Sequence, residues 1–285
     1  MSKSQQAEKR AGILVLVVVL AGAFSGCGPE MDMQAEAAQL QQETASHKSI
    51  VLVHGAWMGG WSWDAVAGYL SQQGERVAVV NLPAHGSDAM AASTATLDDY
   101  VNAVGAAVHS LPGPVYLVGH SLGGVVISQY AETDPASVKQ LIYYAALVPQ
   151  DGQTAFDLAL QDAGSLILPN LTVDTVNGVV SLPPSVFPSI MCADCNAAQA
   201  VELQGHYRDE PLVPANTPVH LTAARFGSVN KRYLFTTQDQ AVTYARQQVM
   251  AATVTLAKTA TLRTYHVPHV SEAAVFSDKL ESLMK

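Results

Sequence analysis

Five residues, Gly119-His120-Ser121-Leu122-Gly123, constrain this chain more than any others. They stand between an apolar run, Pro114-Val-Tyr-Leu-Val118, that reads as a strand, and a segment from Leu122 to Thr133 with helical spacing. A serine in that context rides a sharp strand-to-helix turn, with no room for large side chains at Gly119 and Gly123. The helix that follows presents its N-terminus to any negative charge that develops there. The five-letter pattern alone arises by chance. With the strand before it, the helix after it and a further glycine at Gly124, it marks Ser121 as a candidate nucleophile.

The surrounding sequence predicts a parallel sheet. Ser49-Ile-Val-Leu-Val-His54 is a nearly continuous apolar run, suited to a strand buried on both faces. Further strands are predicted at Arg76–Val80, within Val138–Leu147, at Arg232–Thr236 and around Thr261–Val267. Helices are predicted at 64–73, 97–110, 122–133, 242–251 and about 272–284, with Asp98 and Asp99 where a helix dipole favours them. Alternation of strand and helix implies an α/β fold with right-handed crossovers. From about 149 to 226 the rhythm breaks, and Pro183, Pro184, Pro188, Pro211, Pro214 and Pro218 crowd in. That stretch reads as an inserted helical cap over the carboxyl edge of the sheet. The chain is 49% hydrophobic and 14% charged, enough apolar material for a large core. Its net charge of -9 disfavours nucleic acid as a partner and is read as solubility.

The first residues have another character. Lys3, Lys9 and Arg10 precede an apolar run from Ala11 to Leu20, which continues through small residues to Ser25-Gly26-Cys27. This is the pattern of an export signal over 1–26, and the run is short for a spanning helix. Phe24-Ser25-Gly26-Cys27 is similar to a bacterial lipoprotein box, with Phe24 where leucine is usual, so Cys27 is expected to carry a lipid anchor in a bacterial envelope. The alternative is an ordinary signal with a periplasmic or secreted product. Residues 27–48, rich in Gln, Glu and Ala, read as a tether. Cys192 and Cys195 then remain, as a small disulfide or as two free thiols, distant from the catalytic motifs. Their Pro-rich surroundings do not suit a thioredoxin-like motif, and no further zinc ligands stand nearby in the sequence.

A serine hydroxyl needs a base, and the base needs an orienting carboxylate. Asp239, after the strand at 232–236, is the expected acid, with Asp151 as the weaker alternative. His266 and His269 both follow the last strand, and His266, nearer its carboxyl end, is the expected base. An oxyanion hole needs two backbone N–H groups. Leu122 supplies one, and Ala56, in the small-residue loop His54-Gly-Ala-Trp-Met-Gly-Gly-Trp61, is chosen for the other. His54 is expected to brace this loop, and Trp57, Trp61 and Trp63 to pack.

Four motifs resemble one family in order. Val51-Leu-Val-His-Gly-Ala-Trp-Met-Gly-Gly-Trp-Ser-Trp63, Gly119-His-Ser-Leu-Gly-Gly124, Tyr233-Leu-Phe-Thr-Thr-Gln-Asp239 and His266-Val-Pro-His-Val-Ser271 are similar to the plant methyl esterase and hydroxynitrile lyase group and its bacterial esterase relatives, within the α/β-hydrolase superfamily. The resemblance runs from Ile50 to the end and is weakest in the cap. It implies a triad of Ser121, His266 and Asp239, oxyanion donors at Ala56 and Leu122, and neither metal nor organic cofactor. The lyases carry lysine where this chain has Val267, and Thr or Asn where it has Gly55, so ester hydrolysis is the expectation. The plant hydrolases usually have Asp and Met where Tyr265 and Val267 stand, which argues against a phytohormone methyl ester. Leu166, Ile167, Leu168, Phe187, Ile190 and Met191 suggest a small, apolar, uncharged substrate, or form the core of the cap itself. A lactonase or amidase would use the same triad, and a lyase or a non-catalytic binding protein would be the more distant alternatives.

Overall fold

The computed structural model describes residues 47–285. The expected signal over 1–26, the lipid anchor at Cys27 and nearly all of the tether over 27–48 lie outside the described residues.

Six strands form one fully parallel sheet. In chain order they are β1 (Ser49–Val53), β2 (Arg76–Val80), β3 (Val115–His120), β4 (Val138–Tyr144) and, after the insertion, β8 (Lys231–Thr236) and β9 (Leu256–Leu262). Their spatial order is β2-β1-β3-β4-β8-β9. Period-two alternation sends Val51, Val53, Leu117, Leu141 and Tyr143 into one core layer and Ile50, Leu52, Val118, Ile142 and Tyr144 into the other. The first layer packs under the helices Leu97–His109 and Gly123–Thr133, and the second under Asp64–Gln72 and Ala273–Met284. From β1 the chain moves one way to β2 and then returns to place β3 on the other side. The order therefore reverses between β1 and β3, where open α/β sheets place their binding crevices.

Local sequence explains where the elements begin and end. The Leu97–His109 helix is closed by a capping box in which Asp99 N–H donates to Thr96 Oγ1 at 3.1 Å and Thr96 N–H to Asp99 Oδ2 at 2.9 Å. The expected helix at 242–251 starts only at Tyr244. The N–H groups of Ala241 and Val242 are taken by the Asp239 carboxylate, and Thr243 becomes the cap. The last strand lies earlier than the expected 261–267. It is an edge strand with Lys258 and Thr259 exposed, so it has no apolar run by which to recognise it.

Between β4 and β8 the expected short helices are present at Ala155–Leu160, Phe187–Met191, Ala197–Gly205 and Leu212–Asn216. The sequence reading missed a small antiparallel sheet among them. It consists of β5 (Thr172–Asp174), β6 (Val179–Ser181) and β7 (Glu210–Pro211), in the order β5-β6-β7. Strands of two or three residues are too short to show a periodicity.

Candidate active site

Ser121 sits at the carboxyl end of β3 with φ of +53°, a left-handed conformation held by its backbone partners. Its N–H donates to Tyr144 O at 3.2 Å, and its carbonyl accepts from Gly124 and Leu147 N–H, each at 3.0 Å. The glycines of the motif are required by close approach. A Cβ on Gly119 would stand 2.7 Å from Gly123 O, and one on Gly124 would stand 2.3 Å from Leu147 O. The turn can pack between strand and helix only without side chains at these positions.

His266 is fully buried and fastened on three sides. Its N–H donates to Met191 O at 3.1 Å, and its carbonyl accepts from Tyr144 Oη at 2.9 Å and from His120 Nε2 at 3.1 Å. Its Nδ1 lies 2.7 Å from Asp239 Oδ2. A proton on Nδ1 donates to that carboxylate, which leaves Nε2 as a bare acceptor. Nε2 is buried and has no protein partner among the described residues. Ser121, His266, Ala56 and Leu122 all line one cavity, so the structure brings the four together with Asp239 directly behind the imidazole.

Asp239 is itself held by five donors. Oδ1 accepts from Ala241 N and Val242 N at 2.9 Å each, and Oδ2 from Thr236 Oγ1 at 2.8 Å, Gln247 Nε2 at 3.0 Å and His266. Gln247 is fully buried and also bonds both backbone groups of Thr236. Sequence reasoning missed Gln247 and Thr236. The signal was present in the helix that starts just after Asp239, since a glutamine on its inner face has to find polar partners.

The alternatives for acid and base fall elsewhere. Asp151 is exposed, 3.0 Å from His220 Nδ1 on the surface. His269 is buried away from the cavity lining, with Nδ1 3.0 Å from Tyr144 Oη and its ring 4.4 Å from the Trp63 ring. Burial and the neighbouring His266 hold its pKa well below the usual histidine range. His120 is likewise depressed, first by burial and then by His266 and His269. His54 braces its loop as expected: Nδ1 faces Gly55 O at 2.8 Å and Nε2 accepts from Leu82 N at 3.0 Å. Burial lowers its pKa to about 3.

Two expectations need correction. Trp63 packs against His269 and Phe276 as foreseen, but Trp57 lines the cavity beside Ser121. Trp57 also packs in the core, edge to face against Phe187, so the same indole both packs and lines the site. Cys192 and Cys195 form a disulfide, yet they are not remote from the site. Met191, the residue before Cys192, supplies the carbonyl that receives His266 N–H, because the cap folds back over the sheet edge. Among the described residues the only cluster with metal-ligand spacing is Cys192, Asp194 and Cys195, and its two sulfurs are bonded to each other.

The cavity is mainly apolar. Ile167 and Met191 line it, joined by Phe156, Leu158, Leu171 and Val180, whereas Phe187 and Ile190 belong to the core. One carboxylate of the lining, Glu210 of β7, is buried in a polar network. Its Oε2 is 2.8 Å from His85 Nε2, and its Oε1 accepts from Tyr100 Oη at 3.0 Å. Burial depresses the pKa of His85, but the charge and hydrogen bond of Glu210 outweigh it, and the net shift is upward.

A parallel sheet with a tight serine turn at its switch point, faced by a histidine–carboxylate pair, is the architecture of α/β hydrolases. The sequence pattern of the alpha/beta hydrolase family matches residues 50–279, and the chain belongs to that family. It is 26% identical over 211 residues to putative methylesterase 11, chloroplastic, of Arabidopsis thaliana, a match covering 70% of this chain and 54% of the relative. It is 28% identical over 207 residues to the alpha-hydroxynitrile lyase of the same plant, covering 67% of this chain and 79% of the lyase. The chain spans about half the length of the first of these curated relatives. In fold it is similar to a polyneuridine aldehyde esterase mutant, with a TM-score of 0.74 at 20% identity, over 84% of this chain and 100% of that one.

Proposed function

We propose that this chain is a serine hydrolase that cleaves carboxylic esters of small, mostly apolar, uncharged substrates through an acyl-enzyme. The observation that carries the reading is the Asp239–His266 pair at 2.7 Å, with His266 Nε2 bare, buried and facing the cavity that Ser121 lines. In this reading His266 Nε2 takes the proton of Ser121 as the hydroxyl attacks the ester carbonyl. The N–H groups of Ala56 and Leu122 hold the oxygen as it becomes negative. His266 then gives the proton to the departing alcohol. A water molecule, deprotonated by His266, attacks the acyl-serine and releases the acid. Asp239 keeps the proton on Nδ1 throughout.

The mainly apolar lining supports an uncharged substrate, since its charged side chains, Asp162, Glu210 and Arg246, are engaged by Thr243, by His85 and Tyr100, and by Leu158 O. Val267 supports hydrolysis over cyanohydrin cleavage: it is fully buried at the position where the related lyases carry lysine. Export with a lipid on Cys27 is part of the same proposal, resting on the basic, apolar and small-residue pattern of 1–27.

The test is labelling with a fluorophosphonate, followed by a panel of esters, lactones, amides and cyanohydrins. The expected result is one label on Ser121, loss of label in Ser121→Ala, and fastest turnover of uncharged esters. Undiminished ester turnover by folded Ser121→Ala would remove the mechanism. Preference for a lactone, an amide or a cyanohydrin would reassign the substrate.

A further inference from the structure

Trp57 follows Ala56, the proposed oxyanion donor, and has φ of +63°. A bulky side chain rarely adopts that conformation, so something must hold it. Each polar group of Trp57 is bonded to the segment between β4 and β8. Its N–H donates to Glu210 Oε2 at 3.3 Å, its indole Nε1–H to Val180 O at 2.9 Å, and its carbonyl accepts from Arg208 N–H at 3.1 Å. The indole also meets Phe187 edge to face, at 6.4 Å between centroids. The strained residue of the loop is therefore held by the cap and not by the sheet that carries Ser121.

Glu210 is the one side chain among these backbone partners, and it is 2% exposed. Both ring nitrogens of His85 face acceptors, Glu210 Oε2 at 2.8 Å and Pro83 O at 3.1 Å, an arrangement that suits an imidazolium. Tyr100 Oη fixes the other carboxylate oxygen. His85 belongs to the loop after β2, and Leu82 of that loop donates to His54 at the foot of the Ala56 loop. One carboxylate thus ties together the cap strand β7, the β2 loop, the Leu97–His109 helix and the oxyanion loop.

We infer that Glu210 is a positioning residue for the oxyanion loop: it orients the Trp57 peptide, and through it the Ala56 N–H, toward the carbonyl oxygen of the substrate. This rests on the serine-hydrolase reading. Its consequence is that cap and oxyanion hole act as one unit, so the cap contributes to chemistry as well as to binding. A donor aimed only at the developing oxyanion acts on the transition state, and its misplacement lowers kcat with little change in KM.

The experiment compares wild type, Glu210→Ala, Glu210→Gln and Tyr100→Phe. Steady-state kinetics on an uncharged ester are measured beside inhibition by a trifluoromethyl ketone and by its methyl ketone counterpart. The fluorinated ketone adds Ser121 and bears an oxyanion, whereas the methyl ketone reports ground-state binding. Glu210→Ala is expected to lose about 10²-fold in kcat, in the range of one lost oxyanion donor, with KM within about 3-fold. Its Ki for the fluorinated ketone should rise in parallel, and that for the methyl ketone should not. Glu210→Gln should recover to within about 10-fold of wild type, since its amide oxygen still accepts from Trp57 and its amide nitrogen can donate to a rotated Tyr100 hydroxyl. Tyr100→Phe, which leaves the Trp57 bond in place, should lose less than Glu210→Ala, again in kcat, and it keeps the question decidable if Glu210→Ala does not fold. A change confined to KM, equal losses in the Gln and Ala variants, or parallel loss of both ketones would overturn the inference. Failure of the underlying reading is seen separately, as a wild type that neither takes the fluorophosphonate label nor turns over esters.

Discussion

Replacing Asp239 by asparagine keeps the shape of the side chain and removes its charge, and the consequence can be worked from its five hydrogen bonds. Every partner donates: Ala241 and Val242 N–H to Oδ1, and Thr236 Oγ1, Gln247 Nε2 and His266 Nδ1 to Oδ2. An amide nitrogen in the Oδ1 position would face two backbone N–H groups. In the Oδ2 position it would face Gln247 and His266, while the Thr236 hydroxyl could rotate to accept. The second arrangement is the better one, and His266 can relieve it by moving its proton from Nδ1 to Nε2. That tautomer presents an N–H to Ser121 in place of a lone pair and cannot act as base. The expected loss in kcat is about 10⁴-fold, the effect of forcing the wrong tautomer in such sites. Gln247 Nε2 loses its bond to the carboxylate but keeps Val242 O and Thr236 O as acceptors, so the destabilisation is about 1 kcal/mol, one net hydrogen bond. The assay is ester turnover and fluorophosphonate labelling rate on the variant, with circular dichroism and urea unfolding to establish its fold. A folded Asp239→Asn within about 10-fold of wild type would refute the assignment of both Asp239 and the His266 tautomer.

Other outcomes follow from the same geometry. Gly55→Ala would place a Cβ 2.7 Å from Ser121 Cβ and 3.0 Å from His120 Nδ1, so the serine turn must shift, with an expected loss of at least about 10²-fold in kcat/KM; wild-type kinetics would show that the loop yields instead. His54, His120 and His269 are buried with lowered pKa values, so their neutral forms stabilise the fold above the unfolded value of 6.5 and this contribution is lost as pH falls. His54 alone, lowered to about 3, should lose about 2 kcal/mol at about pH 5, read as a falling urea midpoint between about pH 7 and 5; a flat midpoint would contradict the burial argument. His85 has the opposite sign, with its contribution present below the unfolded value and lost above its raised folded one. Cys27→Ser should move the protein out of the membrane fraction of a bacterial host, checked by globomycin treatment and mass analysis of the mature N-terminus; an unlipidated wild-type product would refute the anchor.

The disulfide illustrates how neighbours in space are hidden in the chain. Cys192 and Cys195 stand more than seventy residues from His266 in sequence, yet the turn they close begins at the carbonyl that receives His266 N–H. Double replacement by Ser should therefore lower thermal stability first. Turnover should fall only a few-fold, since Asp239, Tyr144 and His120 still hold the histidine.

Sequence alone was enough for the parallel sheet, for the tight turn that carries Ser121 and for the order of the later candidates. Each rests on local physics: apolar runs of strand length, glycines where a turn allows no side chain, and acid and base at strand ends. It preferred His266 to His269, three residues apart on one loop, by position and family spacing alone. The physical difference between them is which imidazole the Asp239 carboxylate meets and which is walled in by Trp63 and Tyr144. Sequence could not place Trp57 in the cavity, or bring Glu210, His85 and Tyr100 together, because their contacts join three distant segments. Periodicity records which face of an element is buried. It does not record the partner that waits there, and for the buried polar groups of this site the partner determines what each one does.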